Sequence, residues 1–198
     1  MKKSIFRQDK KYTFRDYFEM NHPTEEIVGE FGYSFSYEII ELPEYRGYDP
    51  NDIKKLQDTY YNILPKITLT SEMAKREFLI APVLLELVRN TDSRINVEYP
   101  VEVSDKLSGS LDYLIRSSHD LIVTEAKRGE LDKGFNQLSA ELIAMDKYEE
   151  DSPSERLYGA VATGDIWKFG ILHRKKKHLT KDIHSYRIPE DTGKIFLF

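Results

Sequence analysis

Apolar and polar positions follow two different periods along this chain, and the two periods occupy separate stretches. Apolar residues recur at the three-to-four-residue spacing of a helix at about 51–64, 71–89 and 131–148. They alternate or form short apolar runs, as in strands, at 96–103, 110–116, 121–126, 157–163 and 166–172. A helix, three strands, a helix and two strands in this order predict the α/β class, with a central mixed β-sheet flanked by helices.

The stretch at 71–89 begins with Ser71, a residue type that caps helices well, and Glu72, which suits the positive end of the helix dipole. Pro82 lies well inside this stretch and has no backbone N–H to donate. We therefore expect the helix to be kinked at this point or to be split into two.

Residues 1–69 differ from the rest of the chain in being rich in tyrosine and phenylalanine, with a strand pattern at about 31–40. We interpret 1–69 as an N-terminal elaboration and 70–198 as the core of a single domain. Buried aromatic side chains dominate both cores and interfaces, so this elaboration either packs on the core or forms the interface of a homodimer. Weak strand patterns also occur near the C-terminus, at 183–188 and 194–198.

Composition and charge restrict the function classes. The 198 residues include no cysteine, which excludes disulfides, thiolate zinc sites and cysteine nucleophiles. The formal net charge of −5 argues against a protein that coats nucleic acid without specificity, although a nuclease needs basic residues only locally. No apolar run reaches the roughly 20 residues that a bilayer requires, and the N-terminus is too polar for a signal peptide. These features predict a cytoplasmic protein without a membrane partner.

Three charged residues stand near the ends of two neighbouring predicted strands. Asp112 follows Gly109-Ser-Leu, and Glu125 and Lys127 follow the apolar run Leu121-Ile-Val-Thr. If the two strands pair as a hairpin, the three side chains converge, because residues two apart in a strand share a face. Two carboxylates suit Mg²⁺, and an ammonium group stabilises negative charge that develops on a phosphate. The pattern therefore indicates a magnesium-dependent site that cleaves phosphodiester bonds.

This arrangement resembles the PD-(D/E)XK nuclease superfamily, whose restriction-endonuclease-like core is a helix, three antiparallel strands, a helix and a strand. Asp112 matches the first acid of the family motif, Glu125 the second acid and Lys127 the lysine. The chain departs from the motif at Leu111, where the family name has a proline. The resemblance covers about residues 70–172 and implies a metal-dependent endonuclease that uses Mg²⁺ or Mn²⁺, with DNA as the expected nucleic-acid partner.

The flanking helices supply further candidates through the same resemblance. The segment 71–85 is similar to the first helix of the N-terminal nuclease domain of type I restriction enzymes. In such families a helix-borne glutamate joins the metal ligands, which implies this role for Glu72, with Glu77 as the alternative. Gln137 matches a glutamine that helps to position the site.

The sequence allows more than one interpretation of the overall function and of the basic run at 174–178. The chain is either a nuclease or a catalytically inactive module of the same fold that binds or regulates a partner, as its acidic balance suggests. A third interpretation is an unrelated α/β fold with a coincidental motif, because a Glu-x-Lys triplet is common by chance. The basic run at 174–178 either holds phosphates or only adds solubilising charge.

Overall fold

The fold of the chain is α/β. The structure, a computed structural model, describes residues 4–42, 47, 49–117, 121–125 and 129–195, except the side chain of Glu125. Within these residues it has one mixed β-sheet of eight strands, flanked by helices, as the sequence predicts. In the same part of the chain, no helix is long and apolar enough to cross a bilayer.

The described strands are β1 (Ser34–Glu38), β2 (Arg94–Ser104), β3 (Leu107–Arg116), β4 (Leu121–Glu125), β5 (Arg156–Ala162), β6 (Ile166–His173), β7 (His178–Asp182) and β8 (Tyr186–Arg187). The described helices are α1 (Phe14–Phe18), α2 (Thr24–Glu30), α3 (Pro50–Ile63), α4 (Glu72–Lys75), α5 (Ala81–Asn90), α6 (Leu131–Tyr148) and α7 (Thr192–Ile195). A 3-10 turn, Leu64–Lys66, follows α3, and a π-helical segment, Arg76–Ile80, joins α4 to α5.

The strand order in the sheet differs from the order in the chain. It runs β1-β7-β6-β5-β4-β3-β2, and β8 pairs with β6. Strands β2, β3 and β4 form an antiparallel meander, α6 then packs across the sheet, and β5 runs parallel to β4. Strand β1 runs parallel to β7, so the N-terminal segment contributes an edge strand to the sheet formed by the rest of the chain.

Helix α6 is buried on all sides over its middle part. Every residue from Gly134 to Asp146 is buried, including the polar ones. The sheet covers one side of the helix, and α1 and α2 pack against it from the N-terminal segment. Helix α1 also approaches β3 closely at Gly109, where an added Cβ would lie 2.9 Å from the ring of Phe14. Aromatic and aliphatic residues of the N-terminal segment therefore belong to the same hydrophobic cluster as α6: Tyr12, Phe14, Tyr17, Ile27, Val28 and Tyr33.

The other face of the sheet carries a second hydrophobic cluster. On β4, Ile122 belongs to the cluster around α6, whereas its neighbour Val123 belongs to the second one, as expected for side chains that alternate across a strand. Helix α3 and the helical stretch from α4 to α5 cover this face. Tyr60 of α3 is fully buried there and donates its hydroxyl to the carbonyl oxygen of Leu79 at 2.8 Å.

The helix predicted at 71–89 is interrupted in its hydrogen bonding, as the position of Pro82 suggested. In the π-helical segment the N–H of Ala81 bonds to the carbonyl oxygen of Arg76, five residues earlier rather than four. This wider, π-helical turn lies directly before Pro82. Proline has no backbone N–H and cannot donate an α-helical hydrogen bond. The sequence predicts a kink or a split here, and the structure shows an interruption in the form of a π-bulge between two α-helices.

Two sequence-based expectations near the chain ends were incomplete or wrong. Helices α1 and α2 were not predicted, because helices of 5 and 7 residues are too short to show a clear period. The strand predicted at 194–198 is wrong where it can be compared, since Thr192–Ile195 is helical and 196–198 lie outside the described residues. Part of the pattern at 183–188 is a strand, β8, which pairs with β6.

Candidate functional site

Two adjacent strands bring the predicted site residues towards one end of the sheet. Strands β3 and β4 pair antiparallel, with Tyr113 opposite Val123. Extending this register by one residue places Asp112 opposite Thr124, next to the last residue of β4, Glu125. The pairing of these two strands, which the sequence argument assumed, is therefore confirmed.

A carboxylate that the sequence argument did not select lies beside these strands. Glu141 belongs to the middle of α6 and has no solvent exposure. The hydroxyl of Thr124 donates a hydrogen bond to its Oε2, and the amide Nε2 of Gln137 donates to its Oε1 at 2.9 Å. Asp112, half-buried on β3, is near enough to repel the same carboxylate. We call these four residues the acid cluster: Asp112, Thr124, Gln137 and Glu141.

Burial dominates the electrostatics of the acid cluster. The pKa of Glu141 is raised to about 8, first by burial and then by the negative charge of Asp112. The hydrogen bonds from Thr124 and Gln137 act in the opposite direction, because they favour the charged form. Two carboxylates that share a site do not both ionise readily without a cation between them. The cluster is therefore suited to a group that carries positive charge.

The amide oxygen of Gln137 has no hydrogen-bond partner among the described residues. The residue is only 6% exposed, and its Oε1 atom is buried. Because the amide nitrogen is bound to Glu141, the oxygen is held beside the same carboxylate. Buried polar atoms nearly always have a partner, so this oxygen marks a place for a donor or a cation.

Of the residues predicted from the motif, the structure brings Asp112 and Gln137 together in the acid cluster. Glu125 ends β4, but its side chain lies outside the described residues, and so does the whole of Lys127. The convergence of Asp112, Glu125 and Lys127 on one point therefore stays a prediction. The roles of the last two residues rest on the motif and on the pairing of β3 with β4.

Glu72 and Glu77, the alternatives for a helix-borne ligand, are both exposed on the helical stretch that covers the other face of the sheet. Between them, Arg76 donates from Nε to the hydroxyl of Tyr113 at 2.9 Å, and its guanidinium lies over that ring. Because Tyr113 follows Asp112 in β3, this helix meets the strand next to the acid cluster but from its other side. The role of Glu72 as a ligand stays a prediction.

Sequence reasoning missed Glu141 because the pattern at 131–148 was assessed by its apolar residues alone. Gln137 and Glu141 are four residues apart and therefore share a face of the helix. Glutamate is almost never fully buried without a partner, so a glutamate in the middle of a long apolar stripe is a signal in itself. That signal points to Glu141, but its proximity to Asp112 on β3 is seen only in the structure.

The donor atoms of the acid cluster fit a small divalent cation. Within the residues that the structure describes, no three histidine or acidic side chains lie close enough together to hold a metal ion, and this statement does not cover the Glu125 side chain. Mg²⁺ usually takes only one or two protein carboxylates and completes its shell with water and substrate oxygens. Two carboxylates and an amide oxygen satisfy that requirement.

A second buried carboxylate on α6 has a different environment. Asp146 accepts hydrogen bonds from Nε of Arg174 at 2.9 Å and from Nζ of Lys177 at 2.7 Å. Arg174 is 6% exposed, so the expectation that the basic run at 174–178 only holds phosphates or adds solubilising charge is wrong for this residue. Two cations of the run instead neutralise an acid that is distant in sequence, and sequence spacing gave no indication of this ion pair.

Comparisons with known proteins assign no family to the chain. Neither a scan of protein-family models nor a search of curated proteins finds a match. The features that bear on function are therefore the motif, the acid cluster and the arrangement of the strands that carry it.

Proposed function

We propose that the protein is a metal-dependent nuclease that hydrolyses phosphodiester bonds, with DNA as its substrate. The observation that supports this most directly is the acid cluster, in which carboxylates from β3 and α6 lie together largely out of solvent. Such a pair is unfavourable by itself and is stabilised by a divalent cation. Glu125 is the last residue of β4, and Lys127 follows it by two positions in the sequence.

The order of the elements also supports this proposal. The helical stretch α4–α5 precedes the antiparallel strands β2, β3 and β4, and α6 then leads to β5, which is parallel to β4. A restriction-endonuclease-like core has the same succession. The arrangement is therefore consistent with membership of the PD-(D/E)XK superfamily, to which the motif residues pointed.

In this proposal the residues of the site have distinct roles. Asp112 and Glu125 hold the cation, as the family motif implies. When bound, Mg²⁺ or Mn²⁺ neutralises charge on the phosphate and acidifies the attacking water. Lys127 stabilises the negative charge that develops on the phosphate. Gln137 orients the Glu141 carboxylate through its hydrogen bond of 2.9 Å.

A cleavage assay with the full chain tests the assignment. Linear and circular DNA, and RNA of matching sequence, are incubated with Mg²⁺, with Mn²⁺ or with a chelator. We expect cleavage that the chelator abolishes and that Asp112→Asn and Lys127→Ala each reduce by roughly 100-fold or more, because the first removes the charge of a metal ligand and the second removes the positive charge that stabilises the phosphate. The matched control is Asp92→Asn, an exposed acid in the turn between α5 and β2, which should keep the wild-type rate.

Two results would change the conclusion. Cleavage that persists in both Asp112→Asn and Lys127→Ala would reject this site. No cleavage, together with no binding of Mn²⁺ in calorimetry, would favour an inactive module of the same fold that binds or regulates a partner, in line with the net charge of −5.

A further inference from the structure

We propose that Glu141 is a direct ligand of the divalent cation and binds it together with Asp112. This inference rests on the proposed function for the identity of the cation, a small divalent ion, and it concerns binding rather than cleavage. The motif assigns the second acidic ligand to Glu125 at the end of β4. Glu141 would add an acid from the middle of α6, a part of the chain that the motif does not include.

The two buried carboxylates of α6 have different partners. Asp146, at 3% exposure, contacts two cationic side chains, those of Arg174 and Lys177. Glu141, at 0% exposure, receives its hydrogen bonds within the described residues from neutral groups only, the amide of Gln137 and a threonine hydroxyl. A buried charge without a counter-charge is strongly unfavourable. Without a cation, burial keeps Glu141 protonated, because it raises the pKa of this carboxyl to about 8, and a bound cation would supply the positive charge that Asp146 receives from two side chains.

The position of Glu141 places the proposed cation between this residue and Asp112. The hydroxyl of Thr124 fixes the Glu141 carboxylate beside the end of β4. Asp112 lies one residue beyond the paired part of β3 and β4, and continuing that register places it opposite Thr124. A cation between the two acids attracts both carboxylates and offsets the repulsion between them, and the effect is large because the site is shielded from water.

The amide oxygen of Gln137 is an independent indication of a ligand at the same place. The residue is more than nine-tenths buried, and its Oε1 has no partner in the part of the chain that the structure describes. The hydrogen bond from its Nε2 to Glu141 keeps this oxygen beside the carboxylate. The lining thus consists of oxygen acceptors, which suits a hard cation such as Mg²⁺ or Mn²⁺ and is unsuitable for an anion.

Titration of the full chain with Mn²⁺ alone, by isothermal calorimetry, tests this assignment without any nucleic acid. We expect Glu141→Gln to weaken Mn²⁺ binding at least tenfold, as Asp112→Asn should, because each change removes a charged ligand and keeps the side-chain shape. The matched control is Glu150→Gln, an exposed glutamate just beyond the end of α6, which should bind Mn²⁺ like the wild type.

Thermal unfolding distinguishes a ligand from a merely structural residue. Without metal, Glu141→Gln should melt at the wild-type temperature or above it, because the neutral amide keeps the shape of the protonated carboxyl and needs no counter-charge. With Mn²⁺, the melting temperature of the wild type should rise and that of Glu141→Gln should not, because only the folded wild type gains binding free energy. A structural role would give the opposite result: a lower melting temperature without metal and an intact Mn²⁺-induced rise.

The assignment would be overturned by wild-type Mn²⁺ affinity in Glu141→Gln or by a wild-type protein that binds no Mn²⁺. These outcomes are separable from the proposed nuclease activity. If the protein cleaves DNA while Glu141→Gln binds Mn²⁺ normally, the nuclease stands and the ligand is rejected. If Mn²⁺ binding depends on Glu141 but neither DNA nor RNA is cleaved, the ligand stands and the nuclease is rejected.

Discussion

The hydroxyl of Tyr33 donates a hydrogen bond to Oδ2 of Asp146 at 2.5 Å and thereby joins the N-terminal segment to α6. Arg174 and Lys177, from the turn between β6 and β7, bind the same carboxylate. Burial and the contact with Asp146 raise the pKa of Tyr33 far above its usual value, so the hydroxyl stays protonated and can donate. One acid therefore connects three parts of the chain that are distant in sequence.

Removal of that acid should destabilise the protein strongly. We expect Asp146→Ala to lower the free energy of unfolding by about 3–5 kcal/mol, because it leaves the buried Arg174 guanidinium without its counter-charge. Tyr33→Phe, which removes one hydrogen bond, should cost about 1 kcal/mol. Urea unfolding measures both, with the exposed Asp151→Ala as the control. A loss for Asp146→Ala no larger than that of the control would contradict the role given to this ion-pair network.

The acid cluster should make the metal-free protein less stable as the pH rises. The pKa of Glu141 is about 8 in the folded protein, against 4.5 for an ordinary glutamate, so the folded state binds the extra proton between these values. The stabilisation is complete below the lower pKa and is lost as the pH rises through the upper one, with a slope of at most about 1.4 kcal/mol per pH unit.

Unfolding in urea across that pH window, in the presence of a chelator, measures this slope. Glu141→Gln cannot titrate, so its stability should depend less on pH than that of the wild type. Identical pH dependence in the two proteins would mean that Glu141 is not the group responsible. Saturating Mn²⁺ should reduce the slope of the wild type, because a bound cation favours the ionised carboxylate.

The packing of α6 on the sheet should be sensitive to a single methyl group. An added Cβ at Gly159 of β5 would lie 2.7 Å from Cδ1 of Leu138, which is one residue from Gln137 in the helix. We expect Gly159→Ala to destabilise the protein by about 1–3 kcal/mol, because the Leu138 side chain must move within a packed core. Gly29→Ala in α2, where nothing lies within 4 Å, is the matched control and should stabilise the helix by about 0.5–1 kcal/mol. Equal melting temperatures for the two variants would count against this tight contact.

The neighbouring tyrosines of α3 provide a paired test of the contact with the π-helical segment. Tyr60 is fully buried and donates to the carbonyl oxygen of Leu79, whereas Tyr61 is 56% exposed. Tyr60→Phe should lower the free energy of unfolding by about 1 kcal/mol, because it leaves a buried carbonyl group without this donor. Tyr61→Phe should leave the stability unchanged. Chemical denaturation measures the free energy of unfolding of both variants. A similar loss in each would contradict a stabilising role for the hydrogen bond from Tyr60 to Leu79.

Local chemistry explains why part of this structure could be predicted from the sequence. The helix expected at 131–148 is Leu131–Tyr148, because a long apolar period specifies a helix by itself. The interruption before Pro82 was also predictable, since a missing N–H acts within a few residues of the proline. The pairing of β3 with β4 followed from two apolar runs separated by a short polar turn.

The other part of the structure depends on contacts between residues that are distant in sequence. The period of α6 does not reveal that α1 and α2 cover its outer side, and this cover is what buries the polar residues of that side. The proximity of Glu141 to Asp112 arises from the packing of a helix on a strand, and no spacing in the sequence encodes it. The same reason hid the ion pair between Asp146 and Arg174.

The burial of α6 on all sides also affects how rigid the acid cluster is. With the sheet on one side and short helices on the other, its middle turns have no free surface on which to move. Their amide hydrogens should exchange with deuterium only when the whole domain opens, at the slowest rates in the protein. The oxygen atoms at 137 and 141 are consequently preorganised by folding itself, so the proposed cation would bind to a rigid site rather than to a loop that closes around it.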